Sequence, residues 1–267
     1  MKYGFHLSIA GKLGVAGAVE EAGLLGLSAI QIFAKSPRSW KTRGLKAGEV
    51  EGFRACKENL GGLPTVIHAS YLVNLAAEGE LWEKSVFSLA DDLAKAQILG
   101  AEYVVVHPGS GPGERARAGA LKACELAGLG KNGPWLLLEN TAGGGEKLGA
   151  SLHTLAKLIK GTPLGVCFDT CHAFAAGYNL GEALDELEQT IGLQRVPVVH
   201  LNDSVGKRGS QIDHHANLLE GQIGAELEQF VLDPRLKDKV FIMETPRGTL
   251  EDAHNLRVLR GWLGSTK

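Results

Sequence analysis

Sulfur is scarce in this chain. Four cysteines (Cys56, Cys124, Cys167, Cys171) are spread over 267 residues with no C-x-x-C pair, so no disulfide framework is indicated and a reducing cytoplasm is the expected home. No uninterrupted apolar run approaches the roughly 20 residues that cross a bilayer, so no membrane partner is expected. The opening MKYGFHLSIAG passes straight into a strand-like pattern and lacks the apolar stretch of a secretory signal. Low-complexity linkers and breaks in composition are also missing, which leaves one domain as the expectation for residues 1–267. Net charge is small: a formal −2 does not by itself mark a nucleic-acid binder. Three divalent ions would bring that balance from −2 to +4, and bound ions are often the largest local charges of a site, so the bare figure does not exclude a polyanionic partner. Asn, Gln and Met are few beside Ala, Leu and Gly, a composition that points toward a thermophile.

Against these absences, eight short apolar segments recur: Tyr3–Ile9, Ala29–Ala34, Thr65–Ser70, Tyr103–Gly109, Trp135–Thr141, Leu164–His172, Val196–Asp203 and Val240–Thr245. Runs such as YVVV, WLLLEN and VFIM suit parallel strands covered on both faces better than strands with one wet face. Helical periodicity fills the intervals, over Leu13–Leu25, Glu49–Leu60, Glu78–Leu99, Glu114–Leu129, Ser151–Ile159, Gly181–Ile191, Ala225–Val231 and Thr249–Leu263. In the longest of these Leu81, Val86, Leu89, Leu93 and Ala96 are expected on one face, with Gly100 as the stop. Eight alternations in a chain of this length predict a closed (β/α)8 TIM barrel in the α/β class. An open doubly wound sheet also alternates, but HLSIAGKLG after the first strand lacks the G-x-G-x-x-G fingerprint of the nucleotide-binding version.

Chemistry in a barrel of this kind gathers where the strands end. Strand three ends at His68, strand four at His107, strand five at Glu139, strand six at Asp169 and His172, strand seven at His200 and strand eight at Glu244, while the loop after strand seven carries Asp213 and His215. A lone strand-end histidine is ordinarily a hydrogen-bonded core or surface residue. Six successive strands repeating the placement make separate explanations for each untenable. Five imidazoles and four carboxylates exceed the needs of one ion and suit two or three, with a carboxylate bridging. Imidazole-rich sites favour zinc, with manganese or iron as alternatives, whereas magnesium prefers oxygen shells. Adjacent ions of this type serve in-line displacement at phosphorus, so metal-assisted hydrolysis of a phosphate ester is the favoured reaction.

HASYLVNLA at 68–76, GVCFDTCH at 165–172 and IDHHANLLEGQIG from Ile212 to Gly224, supported in order by HPG at 107–109, LLLEN at 136–140, HLND at 200–203 and METP at 243–246, carry a resemblance. Over essentially its whole length the chain resembles the endonuclease IV family, the zinc-dependent apurinic/apyrimidinic endonucleases. The resemblance implies three zinc ions per chain, with manganese an alternative at one or more positions. One ion would be held by His68, His107 and Glu139, a second by Glu139, Asp169, His200 and Glu244, and a third by His172, Asp213 and His215. It also implies a DNA-repair hydrolase that cuts the phosphodiester 5′ to an abasic site by a zinc-hydroxide mechanism, leaving a 3′-hydroxyl, with Glu139 and Glu244 as catalytic residues. The implied partner is duplex DNA with abasic sites, and the implied enzyme a cytoplasmic monomer.

For DNA contact, FAKSPRSW at 33–40 is similar to the family loop that enters the base stack, making Arg38 the candidate there, and Tyr71 matches a minor-groove wedge. A nucleotide must leave the duplex to reach a buried site, and an abasic one, having no stacking to lose, does so at lower cost. Lys35, Lys41, Arg43, Lys207, Arg208 and Arg247 are further candidates in rim loops. The third motif departs from the family pattern: His214 fills the slot usually basic, and Leu219 stands where a glycine is usual, with Gly221 retained. His214 can itself carry charge near neutral pH. His6, near the end of strand one, is placed at the barrel floor or rim and expected to pack and not to ligate, His153 and His254 are expected to be solvated, and Cys167 and Cys171 to be buried small hydrophobes, Cys171 having metal binding as its alternative. The competing reading is a metal-dependent sugar isomerase or epimerase on the same barrel, whose sites are carboxylate-dominated.

Overall fold

The computed structural model describes residues 1–130 and 133–264. Eight parallel strands close into a barrel: β1 (Lys2–Leu7), β2 (Ile30–Phe33), β3 (Thr65–His68), β4 (Tyr103–Val106), β5 (Trp135–Glu139), β6 (Gly165–Asp169), β7 (Val198–His200) and β10 (Val240–Met243). They follow chain order around the barrel, and β1 paired with β10 shuts it. Two very short strands, β8 (Asp203–Ser204) and β9 (His215–Ala216), form an antiparallel ribbon in the loop after β7. Outside lie α1 (Gly14–Leu25), α2 (Ala47–Asn59), α3 (Gly79–Leu99), α4 (Gly113–Leu126), α5 (Leu152–Ile159), α6 (Thr170–Ala176), α7 (Leu180–Thr190), α8 (Glu226–Val231) and α9 (Thr249–Trp262).

The strands are apolar on both faces because each face meets a different core. Phe5, Ile32, Ile67, Val104, Leu138 and Phe168 belong to the large cluster that also contains the helix side chains. Their alternates (Ala29, Val66, Val105, Leu137, Cys167, Val198, Val240 and Ile242) form a separate buried cluster, the filling of the barrel itself. Side chains alternate with period two along a strand. Stepping two residues from Val66, Val105, Leu137, Cys167, Val198 and Ile242 therefore reaches His68, His107, Glu139, Asp169, His200 and Glu244. One layer of small apolar residues floors the barrel, and the next layer toward the strands' C-terminal ends is polar. Gly4 fits this crowding: a Cβ there would stand 1.7 Å from the Ala29 carbonyl oxygen.

Several boundaries differ from those expected. Strand six stops at Asp169, because its side chain accepts a hydrogen bond from the His172 amide at 2.7 Å and caps α6. His172 thus projects from a helix, and His107 and Glu244 lie just beyond their strands. In α3 Val86, Leu89, Leu93 and Ala96 are buried, but Leu81 in the first turn is exposed and Trp82 packs inward in its stead. No helix among the described residues is long and apolar enough to cross a membrane.

Candidate metal centre

The polar layer at the barrel mouth is a set of side chains whose hydrogen bonds fix which atom each presents. His68 Nδ1 lies 2.8 Å from the Ala69 carbonyl oxygen, His172 Nδ1 2.9 Å from that of Asn140, and His215 Nδ1 3.1 Å from that of Glu244. A carbonyl only accepts, so each Nδ1 carries a proton, and when the ring is neutral each Nε2 turns a lone pair inward. His68 Nε2 then faces Glu139 Oε2 at 3.2 Å, and His172 Nε2 faces Asp213 Oδ1 at 3.0 Å. His107 Nε2 stands 3.0 Å from Glu139 Oε2, and His200 Nδ1 stands 2.9 Å from Glu139 Oε1. His215 Nε2 is buried with no hydrogen-bond partner among the described residues.

Neutral imidazole lone pairs aimed at carboxylate oxygens repel unless something positive lies between them. In the protein alone that role falls to protons. Burial would raise the Glu139 carboxyl, but His200 and His107 outweigh it and hold the group well below the usual range. Glu244 is held low in the same way, against burial, by His200 and the hydrogen bond to His6. Burial opposes charge on His172 and His200, yet Asp169, Asp213 and Glu139 hold the first, and Cys167, Glu244 and Glu139 the second, well above an ordinary imidazole. Divalent cations satisfy the same geometry. Ligand atoms of His68, His107 and Glu139 lie within 4.8 Å of one another, as do those of Glu139, Asp169, His200 and Glu244, and those of Asp169, His172 and His215. The donors are imidazole nitrogens and carboxylate oxygens, the set that suits zinc and its neighbours. The residues present fit a multinuclear metal centre.

All nine candidate ligands come together at one mouth. In the third group the tight trio contains Asp169, while Asp213, more open to solvent, stands at its edge 3.5 Å from His215 Nε2. The loop that brings Asp213 and His215 across is organised by Asp203. This buried carboxylate accepts from the amides of Gly221 at 3.1 Å and Ile223 at 2.9 Å. Gly221 is required there, since a Cβ would meet Asp203 Oδ1 at 2.4 Å. Leu219 holds a left-handed φ of 67°, the conformation for which glycine is the usual choice. His214 is exposed on the same loop.

Sequence reasoning missed the residues that hold the ligands. His6, expected to pack at the barrel floor or rim, lies at that rim with Nδ1 2.9 Å from Glu244 Oε1, and its Nε2 is buried with no partner among the described residues. Gln31 reaches both Glu244 and His200. Asn202 donates to Asp169 Oδ2 at 2.7 Å and accepts from the Glu244 amide at 2.7 Å, and Asn140 accepts from the Asp169 amide at 2.6 Å. The available signal was parity: His6 and Gln31 occupy inward positions of β1 and β2, paired in register, where every other strand carries apolar filling or a ligand. His254, expected to be solvated, is half-buried with Nε2 2.8 Å from the Leu218 carbonyl oxygen. Cys171 is buried, burial pushes its thiol up to about 12, and its Sγ donates toward the His214 carbonyl oxygen at 3.8 Å.

Above the ligands is a cavity of about 400 Å³ lined in part by Phe33, His68, Tyr71, His107 and Asp213. It shares His6 and Phe33 with a groove of about 850 Å³ walled by the loops after β1 and β2. Tyr71 is 58% exposed at this mouth, its ring edge-on to Phe33 at 5.3 Å, and burial with the nearby carboxylates keeps its phenol neutral, up to about 12. Arg38 is exposed on the loop between β2 and α2, as is Lys41. Other candidate cations are committed elsewhere. Lys35 is buried against Asp91 and Asp92, Arg43 forms a bidentate pair with Glu49, and Arg208 faces Glu226. Arg247 lines the cavity, but its guanidinium is tied to Asp252, Glu21 and the His6 carbonyl, bracing α1, α9 and β1 together. Lys207 is exposed.

Comparison with known proteins agrees with this geometry. Residues 19–265 match the family described as xylose isomerase-like TIM barrel. The chain is 69% identical to endonuclease 4 of one Thermus thermophilus strain over 266 residues, covering 98% of each. It superposes on the crystal structure of endonuclease IV from a second strain of Thermus thermophilus with a TM-score of 0.97 at 67% identity, covering all of both chains. A D-tagatose 3-epimerase-like protein superposes with a TM-score of 0.78 at 23% identity, covering 99% of this chain and 97% of that one, a likeness of fold.

Proposed function

The chain belongs to the endonuclease IV family of xylose isomerase-like TIM barrels, and from that premise we propose that it incises duplex DNA on the 5′ side of abasic sites with three zinc ions at the barrel mouth. It is a DNA-cleaving hydrolase of DNA repair. One observation carries the metal reading: inward imidazole nitrogens of His68, His107 and His200 stand 3.2, 3.0 and 2.9 Å from the fully buried Glu139 carboxylate, within groups of three and four ligand atoms that a divalent ion could share. His68, His107 and Glu139 would hold one ion, Glu139, Asp169, His200 and Glu244 a second, and His172, His215 and Asp213 a third, with Asp169 able to share in it. Such ions, when bound, act as Lewis acids on a phosphoryl group and make a hydrolytic nucleophile available near neutral pH.

The protein's own part is orientation. Glu139, fully buried on β5, joins two ligand groups, and Glu244 faces the cavity from beyond β10, so both are assigned catalytic roles in placing the reacting groups. Asn140 and Asn202 fix Asp169 so that it cannot swing out of the layer. Tyr71 and Arg38 stand at the mouth, where a duplex would lie, with the shape and charge to support a displaced nucleotide. A site this deep accepts only a phosphodiester lifted out of the helix, and loss of the base lowers the cost of lifting it. The sugar isomerase or epimerase reading is set aside, since five imidazoles crowd this mouth and the likeness to the epimerase-like protein extends to fold alone.

The test is incision of a duplex oligonucleotide carrying one abasic analogue, before and after chelation, alongside metal analysis. The zinc-loaded protein is expected to cut 5′ to the lesion and the chelated protein not to. Glu139→Gln is expected to lose incision by about a thousandfold or more, on the order of the several kcal/mol that ions supply to a phosphoryl transition state. Failure of the zinc-loaded protein to cut would remove the reading.

A further inference from the structure

Gln31 is the single glutamine in the apolar strand β2, and its side chain is fully buried in the barrel. Its amide orientation follows from its neighbours. Nε2 lies 2.6 Å from Glu244 Oε1 and 3.0 Å from His6 Nδ1, and a carboxylate can only accept, so the NH2 group must point that way. Oε1 is then 2.8 Å from His200 Nε2 and must accept from it. His200 therefore carries its proton on Nε2 and turns Nδ1 inward, toward Glu139 Oε1 at 2.9 Å, Glu244 Oε2 at 3.3 Å and Asp169 Oδ2 at 3.8 Å.

This inverts the arrangement at His68, His172 and His215, whose Nδ1 atoms are each tied to a main-chain carbonyl and whose Nε2 atoms face the site. Those three are held by backbone, which no substitution removes. At His200 the same carbonyl function comes from a side chain. With Gln31 deleted, His200 Nε2–H would be buried without an acceptor, and the ring would gain by carrying its proton on Nδ1 against the carboxylates, the atom a cation needs. The hydrogen bond that keeps Glu244 Oε1 turned toward β2 would be lost at the same time.

We propose that Gln31 is a positioning residue for metal retention: it selects Nδ1 of His200 as the ligand atom and orients Glu244, so that it governs how tightly the group of Glu139, Asp169, His200 and Glu244 holds its ion. The inference rests on the metal reading above. Outer partners of metal-bound histidines fix tautomer and ring orientation, and their loss typically weakens affinity about 10- to 100-fold.

The test pairs zinc retention under chelator competition with long-range proton–nitrogen NMR of histidine-labelled protein. In the zinc-loaded wild type, His200 is expected to be protonated at Nε2, and His68, His172 and His215 at Nδ1. Gln31→Met, which keeps bulk without the amide, is expected to release one ion about 10- to 100-fold more readily while the rest are held as in wild type. Should that variant not fold, Gln31→Glu carries the test. It still accepts from His200 but replaces the bond to Glu244 with repulsion, so weaker retention is expected with the His200 Nε2–H signal kept. Unchanged retention in the variant, or His200 protonated at Nδ1 in the wild type, overturns the inference and leaves the metal reading standing. A wild-type protein that takes up no zinc overturns both.

Discussion

Replacing Asp92 with Asn should make the protein more stable relative to wild type as the pH rises, because Asp92 is a buried carboxylate that its surroundings satisfy poorly. It sits on α3, wholly inaccessible, with Oδ1 3.1 Å from Lys35 Nζ and no well-formed hydrogen bond to either oxygen among the described residues. Lys35 has other partners, the Ser88 carbonyl at 2.5 Å and Asp91 at 3.0 Å, so it does not depend on Asp92. Burial outweighs the attraction of Lys35 and pushes the Asp92 carboxyl from 3.8 up to about 6. A folded-state value above the unfolded one means that the folded chain holds the proton more tightly. Relative stability is then greatest below about pH 4 and declines as the pH passes through about 6. The rise from 3.8 to about 6 corresponds to about 3 kcal/mol, fully imposed at about pH 7.5 and reduced to less than about 1 kcal/mol at about pH 4. Asn carries no such cost. Urea unfolding of both proteins at the two pH values, with chelator present throughout, gives a double difference in which every other titrating group cancels. The Asn variant should gain about 2 kcal/mol on wild type between about pH 4 and pH 7.5. An unchanged difference would show that Asp92 does not titrate in this range. A loss would show that the attraction of Lys35 outweighs burial, and either result refutes the reasoning.

The ligand groups predict unequal metal losses. Glu139 belongs to two of them and Asp213 borders one, so elemental analysis should find two ions missing from Glu139→Gln and no more than one from Asp213→Ala. Arg38→Ala should raise KM for abasic DNA with kcat retained, because an exposed rim residue contributes to holding the duplex equally before and during the reaction; a fall in kcat alone would contradict this. Gly221→Ala, whose Cβ would press on Asp203 at 2.4 Å, should loosen the loop carrying Asp213 and His215, lowering incision and third-ion retention well before the melting temperature moves.

How far the site could be read from sequence depended on treating the strands as a set. His68, His107, Glu139, Asp169, His200 and Glu244 stand out because each follows a buried apolar residue two places earlier, and six repeats of that step cannot be six accidents of packing. The same step, applied to the first two strands, leads from Gly4 to His6 and from Ala29 to Gln31. Gln31 does not announce itself as a ligand by type, and His6, a ligand type, reads as ordinary packing when weighed singly. What parity cannot supply is contact across the chain. Lys35 reads as a phosphate contact on its loop, yet its charge is consumed by Asp91 and Asp92, which lie far along the chain on α3. Arg247 reads the same way until Glu21 and Asp252 close around it. The boundary at Asp169 was visible in principle, since an Asp three residues before the His172 amide it caps is a helix start, but the apolar run before it argued for a longer strand. The selection of Nδ1 at His200 lies beyond any pattern in the sequence. It needs the distances from one amide to a carboxylate on one side and an imidazole on the other, and only the closed barrel brings Gln31, His200 and Glu244 within reach of each other.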